Sequence, residues 1–272
     1  MRRLLTAGIS IVLVAAIARA DRMPDQAPLV RAASSQIAVI GKVTSLDRDT
    51  VEASGYPGVK EKTKYTIATV KVETNIRGAK GVTHLKAGFY PGSSGTGGSY
   101  KFPVLQEGQD VCLFLNKHHE ESFYVFPPLA PPLEVLEGNK ATVEMLKRAA
   151  VVFDDPAKAL KSAKAEDRLF AAGLLVLQYR TQPFGRASAS EPIPLEESQA
   201  ILKILAEADW TQPDGEASTA FVSLGIANHP KFAKIRPNPG DDLKALWLAE
   251  FKRWLAEDGK DYRIEKFVPK AK

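Results

Sequence analysis

The chain carries one cysteine, Cys112, in 272 residues, which excludes an intramolecular disulfide and a zinc finger or ribbon. Histidine is scarce, with four copies, and neither H-E-x-x-H nor S-x-x-K occurs. Beyond the N-terminus no apolar run approaches the roughly 20 residues needed to cross a bilayer. Charge of one sign is not in large excess: 37 Lys and Arg stand against 32 Asp and Glu. What is present is ordinary for a globular protein, at 44% hydrophobic, 25% charged and 8% aromatic. The composition excludes a disordered chain, a collagen-like fibre and a polytopic membrane protein. The length allows one large domain or two small ones.

Residues 1–20 read as an export signal. Arg2 and Arg3 supply a positive start, residues 4–17 an apolar run too short to span a membrane, and Ala18-Arg19-Ala20 a cleavage site before Asp21. The alternative is an uncleaved anchor. Cleavage removes three arginines and no acids, so 34 basic residues face 32 acidic ones. A net charge of +2 gives no argument for nucleic acid or membrane binding. The expected location is therefore the periplasm or the exterior, with another exported protein as partner and no stable membrane insertion.

Two periodicities divide the remainder. From Ser35 to about Phe126 apolar residues alternate: Ile37, Val39 and Val43 fall on one strand face, Ala38 and Ile40 on the other. Gly41 interrupts that run, as at a bulge or bend. In residues 65–74 the apolar phase changes from Tyr65 and Ile67 to Ala68, Val70 and Val72, which again suggests a bulge. Residues 83–89, 110–115 and 123–126 complete five strands, and residues 51–53 extend the first. Five bent strands in so short a stretch predict a closed or partly closed barrel, because closure removes exposed edges.

Four prolines within residues 127–132 end that region. Helical spacing follows. Asn139 is positioned to cap a helix over residues 140–152, and Asp155 to cap a short one beginning at Pro156. Residues 166–179 contain the apolar stretch 170–177, expected at the centre of a helical core. Pro194 opens another helix, residues 219–226 form a short one, and Asp241 or Asp242 caps the last, which ends at Gly259. The expected fold class is α+β multidomain: a five-stranded OB-type β-barrel over residues 30–132, then an all-α helical bundle or short helical repeat over 138–258. Residues 259–272 read as a basic, solvated tail. No strand is expected after residue 140, and no parallel pairing anywhere.

Ile37-Ala-Val-Ile-Gly-Lys-Val43, Tyr65-Thr-Ile-Ala-Thr-Val-Lys-Val72 followed by Ile76-Arg-Gly78, and Leu105-Gln-Glu-Gly-Gln-Asp-Val-Cys-Leu-Phe-Leu115 occur in this order. They resemble the barrel of the netrin-like and tissue-inhibitor-of-metalloproteinase family, with Arg77 where that family has Lys. Likewise, Asp155-Pro156 followed by Glu166-Asp167-Arg168 and an Ala/Leu-rich helix resembles one unit of a HEAT-type repeat. The first resemblance implies an exported binding domain of OB type. The family's inhibitors present an N-terminal cysteine to a protease zinc, and no cysteine lies near Asp21, so that mechanism is not carried over.

The densest group of polar chemistry is His118-His119-Glu120-Glu121, in the expected turn between the fourth and fifth strands. Imidazole and carboxylate are ligands for zinc, copper or nickel. A further ligand would come from Glu52 or Glu61. Adjacent side chains are expected to diverge, and neither a metal nor another cofactor is expected to bind. The loops after the first and fourth strands flank the ligand face of many OB folds, so Tyr56, Tyr65, His118 and His119 are the ligand-binding candidates. Residues 92–99 are glycine-rich but lack the lysine and the following helix of a phosphate loop. Cys112, His84 and His229 have no recognisable catalytic partner. The acidic pairs Asp154/Asp155 and Asp241/Asp242 fall where caps are wanted. Trp210, Trp247 and Trp254 suit the core and rim of the helical half. The expected function is an exported, non-enzymatic binding protein. Its rivals are a metal-dependent hydrolase using residues 118–121 and a protease-binding inhibitor without the cysteine.

Overall fold

A computed structural model describes residues 26–90, 104–127, 130–182, 188–210 and 216–270. The proposed signal and the glycine-rich stretch 92–99 lie outside them. The described chain is mixed α and β, and none of its described helices is long and apolar enough to cross a membrane.

Seven strands form one sheet: β1 Ile37–Leu46, β2 Val51–Ser54, β3 Lys62–Arg77, β4 His84–Phe89, β5 Asp110–Lys117, β6 Tyr124–Val125 and β7 Leu133–Glu134. β1 pairs antiparallel with both β3 and β5, β3 with β4, and β5 with β6. β4 meets β6 in a two-residue parallel ladder, so the succession β1-β3-β4-β6-β5 returns to β1. That parallel pair departs from expectation. β2 is a separate strand against β3, not an extension of the first.

The alternation of β1 is realised on both faces. Ile37, Val39 and Val43 join Ala68, Val70, Leu85, Ala87, Val111, Leu113 and Leu115 in an inner core. Ala38 and Ile40, with Ile76, Cys112 and Phe114, form an outer patch. Helix α1 Pro28–Ser34 and helix α2 Lys140–Asp154 cover that patch through Ala32, Val143 and Leu146. The β1–β3 register shifts between Ile40 and Gly41, as the glycine suggested. A Cβ on Gly41 would collide with the carbonyl oxygen of Lys71, so only glycine fits.

The phase change in β3 has another cause than a bulge. Its pairing with β4 runs without a shift from Thr66 to Lys71. Tyr65 and Ile67 instead point to the outer face, where Ala53 of β2 and Phe123 bury them. Both faces of this strand are covered at once, which removes the period-two signal.

Helices α3 Pro156–Ala159, α4 Ala165–Arg180, α5 Leu195–Glu207, α6 Glu216–Leu224 and α7 Leu243–Glu257 follow. α4 is central as expected, with Phe170, Ala171, Ala172, Leu174, Leu175 and Val176 all buried. Asp155 caps α3 through the Lys158 N–H, and Asp242 caps α7 through those of Lys244 and Ala245. Asn139 does not cap α2: its Nδ2 donates to the Glu134 carbonyl, and residues 137–139 form a 3-10 turn.

Three expectations fail here. β7 lies beyond residue 132 yet pairs with β5, and α2 shares a core with the sheet, so the apolar cores do not divide at the prolines. The half from 138 to 258 is not all-α: β8 Ser188–Pro192 pairs antiparallel with β9 Glu265–Pro269. Consequently the described part of the expected tail, residues 259–270, is not solvated chain. Ile264 is fully buried; its N–H donates to Ser198 Oγ at 3.0 Å and its carbonyl accepts from Ile193 at 2.9 Å. The Arg180 guanidinium lies over the Phe267 ring at 4.9 Å.

Candidate functional site

Two loops distant in sequence meet over the outer face of β3 and β4. One is the hairpin between β2 and β3, opening at Ser54. The other is the turn after β5, residues 118–123. Their junction is polar and is made by Ser54, His118, His119 and Glu120.

His118 is 3% exposed and fully hydrogen-bonded. Its Nε2 lies 3.0 Å from the Ser54 carbonyl, and its Nδ1 lies 3.2 and 3.1 Å from the backbone nitrogens of Glu120 and Glu121. A carbonyl only accepts and an amide N–H only donates, so this network assigns the neutral Nε2–H tautomer. Burial lowers its pKa most; the Ser54 carbonyl opposes that, the His119 ring adds to it, and the two glutamates oppose it. With Nε2 donating and the Nδ1 lone pair engaged by two amides, the ring has none to offer a metal.

His119 stacks on His118, with centroids 4.4 Å apart and planes at 26°. The adjacent side chains therefore do not diverge. Residues 118–123 form a turn, where the alternation of a strand does not apply. His119 Nε2 sits 2.8 Å from Ser54 Oγ, which also lies 3.3 Å from Glu120 Oε2 and 3.3 Å from the Tyr56 carbonyl. One hydroxyl proton cannot serve three acceptors, so His119 Nε2–H donates to Ser54, and Ser54 donates onward to Glu120 or Tyr56.

A serine 2.8 Å from a histidine has the spacing of a nucleophile and its base. The rest of the arrangement is wrong for that chemistry. The Glu120 carboxylate approaches Nε2, at 3.6 Å, the nitrogen that already faces the serine. A triad carboxylate holds Nδ1 instead. Ser54 is also buried, at 5% exposure. The arrangement joins two loops.

Of the four candidates, His118 and His119 are brought together and Tyr65 lies beneath them. Tyr65 is 2% exposed, stacks on Tyr90 at 4.9 Å, and meets the His118 ring edge-on at 5.6 Å. Burial, then the hydrogen bond with Tyr90, pushes its phenol far above the usual range. It is a core aromatic, not a ligand contact. Tyr56 is 55% exposed at the hairpin. Gly88 makes room below: a Cβ there would lie 2.5 Å from the Phe123 ring.

Glu52 pairs with Lys64 at 3.7 Å. Among the described residues no three His, Cys, Asp or Glu side chains are grouped to hold a metal ion. Ser54, Tyr90 and Phe123 were not expected at the site. The turn Ser54-Gly55-Tyr56-Pro57-Gly58 was the available signal for Ser54.

The other candidates resolve as structure. Burial pushes the Cys112 thiol up to about 11. Trp210 and Trp254 are buried, and Trp247 is partly buried against the same helical core. His229 Nδ1 accepts from Trp254 Nε1 at 3.2 Å. Asp154 pairs with Lys80 at 2.7 Å. No family model matches the chain, and neither the curated proteins nor the solved structures include a significant match to it.

Proposed function

We propose that this is an exported, non-enzymatic binding protein whose ligand face is formed by the β2–β3 hairpin and the turn after β5. The carrying observation is the convergence of these loops on Ser54, with Tyr56, His119 and Glu120 left towards solvent. An exposed aromatic, an imidazole and a carboxylate on a supported surface suit recognition of a polar partner. The same reading takes the sheet as an OB-type barrel, supported by the return of the pairings to β1. The netrin-like resemblance belongs to this reading. The helical half supplies a packing partner and a second surface. Its HEAT-like unit, α3 followed by α4, is part of the proposal.

The protein is proposed to be cleaved after Ala20 and to act on another exported protein, without nucleic acid or membrane insertion. N-terminal sequencing should begin at Asp21; an intact Met1 in a membrane fraction would show an anchor. A photo-crosslinking residue at Tyr56 should capture one discrete partner in the native compartment. The same residue at exposed Val151 should not. Capture that survives His119→Ala together with Glu120→Ala would move the ligand face elsewhere. Ester or peptide turnover lost in Ser54→Ala would establish an enzyme.

A further inference from the structure

We propose that His118 is an acid-released latch: protonation of its Nδ1 frees the turn 118–123 from β2 and dismantles the surface the two loops share. The inference rests on the reading that these loops form the ligand face, and it names how that face is regulated.

The geometry leaves Nδ1 one role. Its lone pair holds the Glu120 and Glu121 amides, while Nε2–H holds the Ser54 carbonyl of the other loop. One ring therefore closes its own turn and ties it to β2. A proton on Nδ1 would set three N–H groups against one another and place a charge at a buried site. Both amide bonds would be lost together.

The surroundings decide when this occurs. From β3 the Tyr65 phenol faces His118, with Tyr90 behind it. β2 contributes the Ser54 carbonyl and, beyond it, Tyr56. β5 ends at exposed Lys117, and the turn itself brings His119, Glu120 and Glu121. The Ser54 carbonyl and the two carboxylates favour a charged ring; the His119 ring and burial oppose it, burial most of all. A base whose folded pKa is lowered stabilises the closed form fully above about pH 6.5. That contribution declines as pH falls towards the lowered value. Once the ring titrates only when open, each further pH unit lowers the closed-to-open ratio about tenfold, down to the folded pKa. Release buries nothing new and exposes Phe123 and Tyr65.

Amide hydrogen exchange on the full chain, with chelator present and intrinsic rates corrected, tests this without a ligand. Glu120 and Glu121 should be protected at about pH 7.5 and lose a measurable part of that protection at about pH 5, up to about thirtyfold for a ring that titrates only when open. His118→Asn keeps an acceptor near the Nδ1 position and cannot be protonated in this range, so it should stay protected at both. Unchanged protection in the natural sequence, or equal loss in His118→Asn, would overturn the latch. If the variant does not fold, imidazole NMR decides. His118 should titrate below its ordinary value together with the turn resonances; titration without movement of the turn would overturn the proposal. A latch that responds while crosslinking at Tyr56 fails would sink the binding reading and leave the device intact.

Discussion

Two glycines are required by the close approach of an aromatic ring. Gly88 lies on β4 in register with Val125, and its missing side chain admits the Phe123 ring. Gly88→Ala should displace that ring, loosen the junction above it and cost about 1–3 kcal/mol. Urea denaturation would measure the cost, and a stability unchanged within error would show that Phe123 can move freely. Gly259 is expected to end α7, and it does follow the C-cap residue Asp258, without a positive φ. Its N–H donates to the Trp254 carbonyl at 2.7 Å. The structural demand is contact, however: a Cβ would lie 2.9 Å from the Trp254 ring. Arg77 stands where the resemblance places Lys. It donates to the carbonyls of Ala32, Ala33 and Ser35 and lies over the Phe153 ring at 5.6 Å. A guanidinium serves several acceptors and an aromatic face together, as an ammonium does less well. Arg77→Lys should therefore lower the melting temperature even though charge is kept.

At the scale of elements, caps separate helices that hold themselves from helices held by packing. Asp242 caps the fifteen-residue α7 with two N–H acceptances, so Asp242→Ala should cost about 1 kcal/mol in chemical denaturation. Asn139→Ala should cost less as a cap, because its side chain reaches Glu134 instead. The β8–β9 ribbon depends wholly on a partner. Ser188–Pro192 has no apolar alternation, and its pairing reaches across to Glu265–Pro269. Ending the chain after Arg263 removes β9 and buried Ile264. It should leave a protein with a lower melting temperature in calorimetry. An unchanged melt would show that the ribbon is peripheral.

At the scale of the whole molecule, the sheet has three apolar surfaces and supplies only one of them internally. The inner core is strand against strand. One outer patch needs α1 and α2, and the other needs β2 and the turn after β5. A fragment covering residues 30–132 lacks α2 and part of α1. It should expose Ala38, Ile40, Ile76 and Phe114, bind a hydrophobic dye and associate in solution. A monomeric, dye-silent fragment would show that the sheet stands alone, as the boundary at the prolines implied.

The sequence alone determined the local elements: the apolar alternation of β1, the all-round apolar α4, the cap at Asp155, and a cap at Asp241 or Asp242. Each is written in neighbouring residues and a fixed period, so it is legible without partners. Tertiary structure decided the rest. Whether Tyr65 served a ligand or a core depended on what covered the outer face of β3, and that cover comes from β2 and Phe123. Whether the histidines diverged depended on a turn closed by His118 itself. Ser54 became a site residue only because its loop meets residues more than sixty positions away. Such contacts are long in sequence and short in space, and no periodicity encodes them.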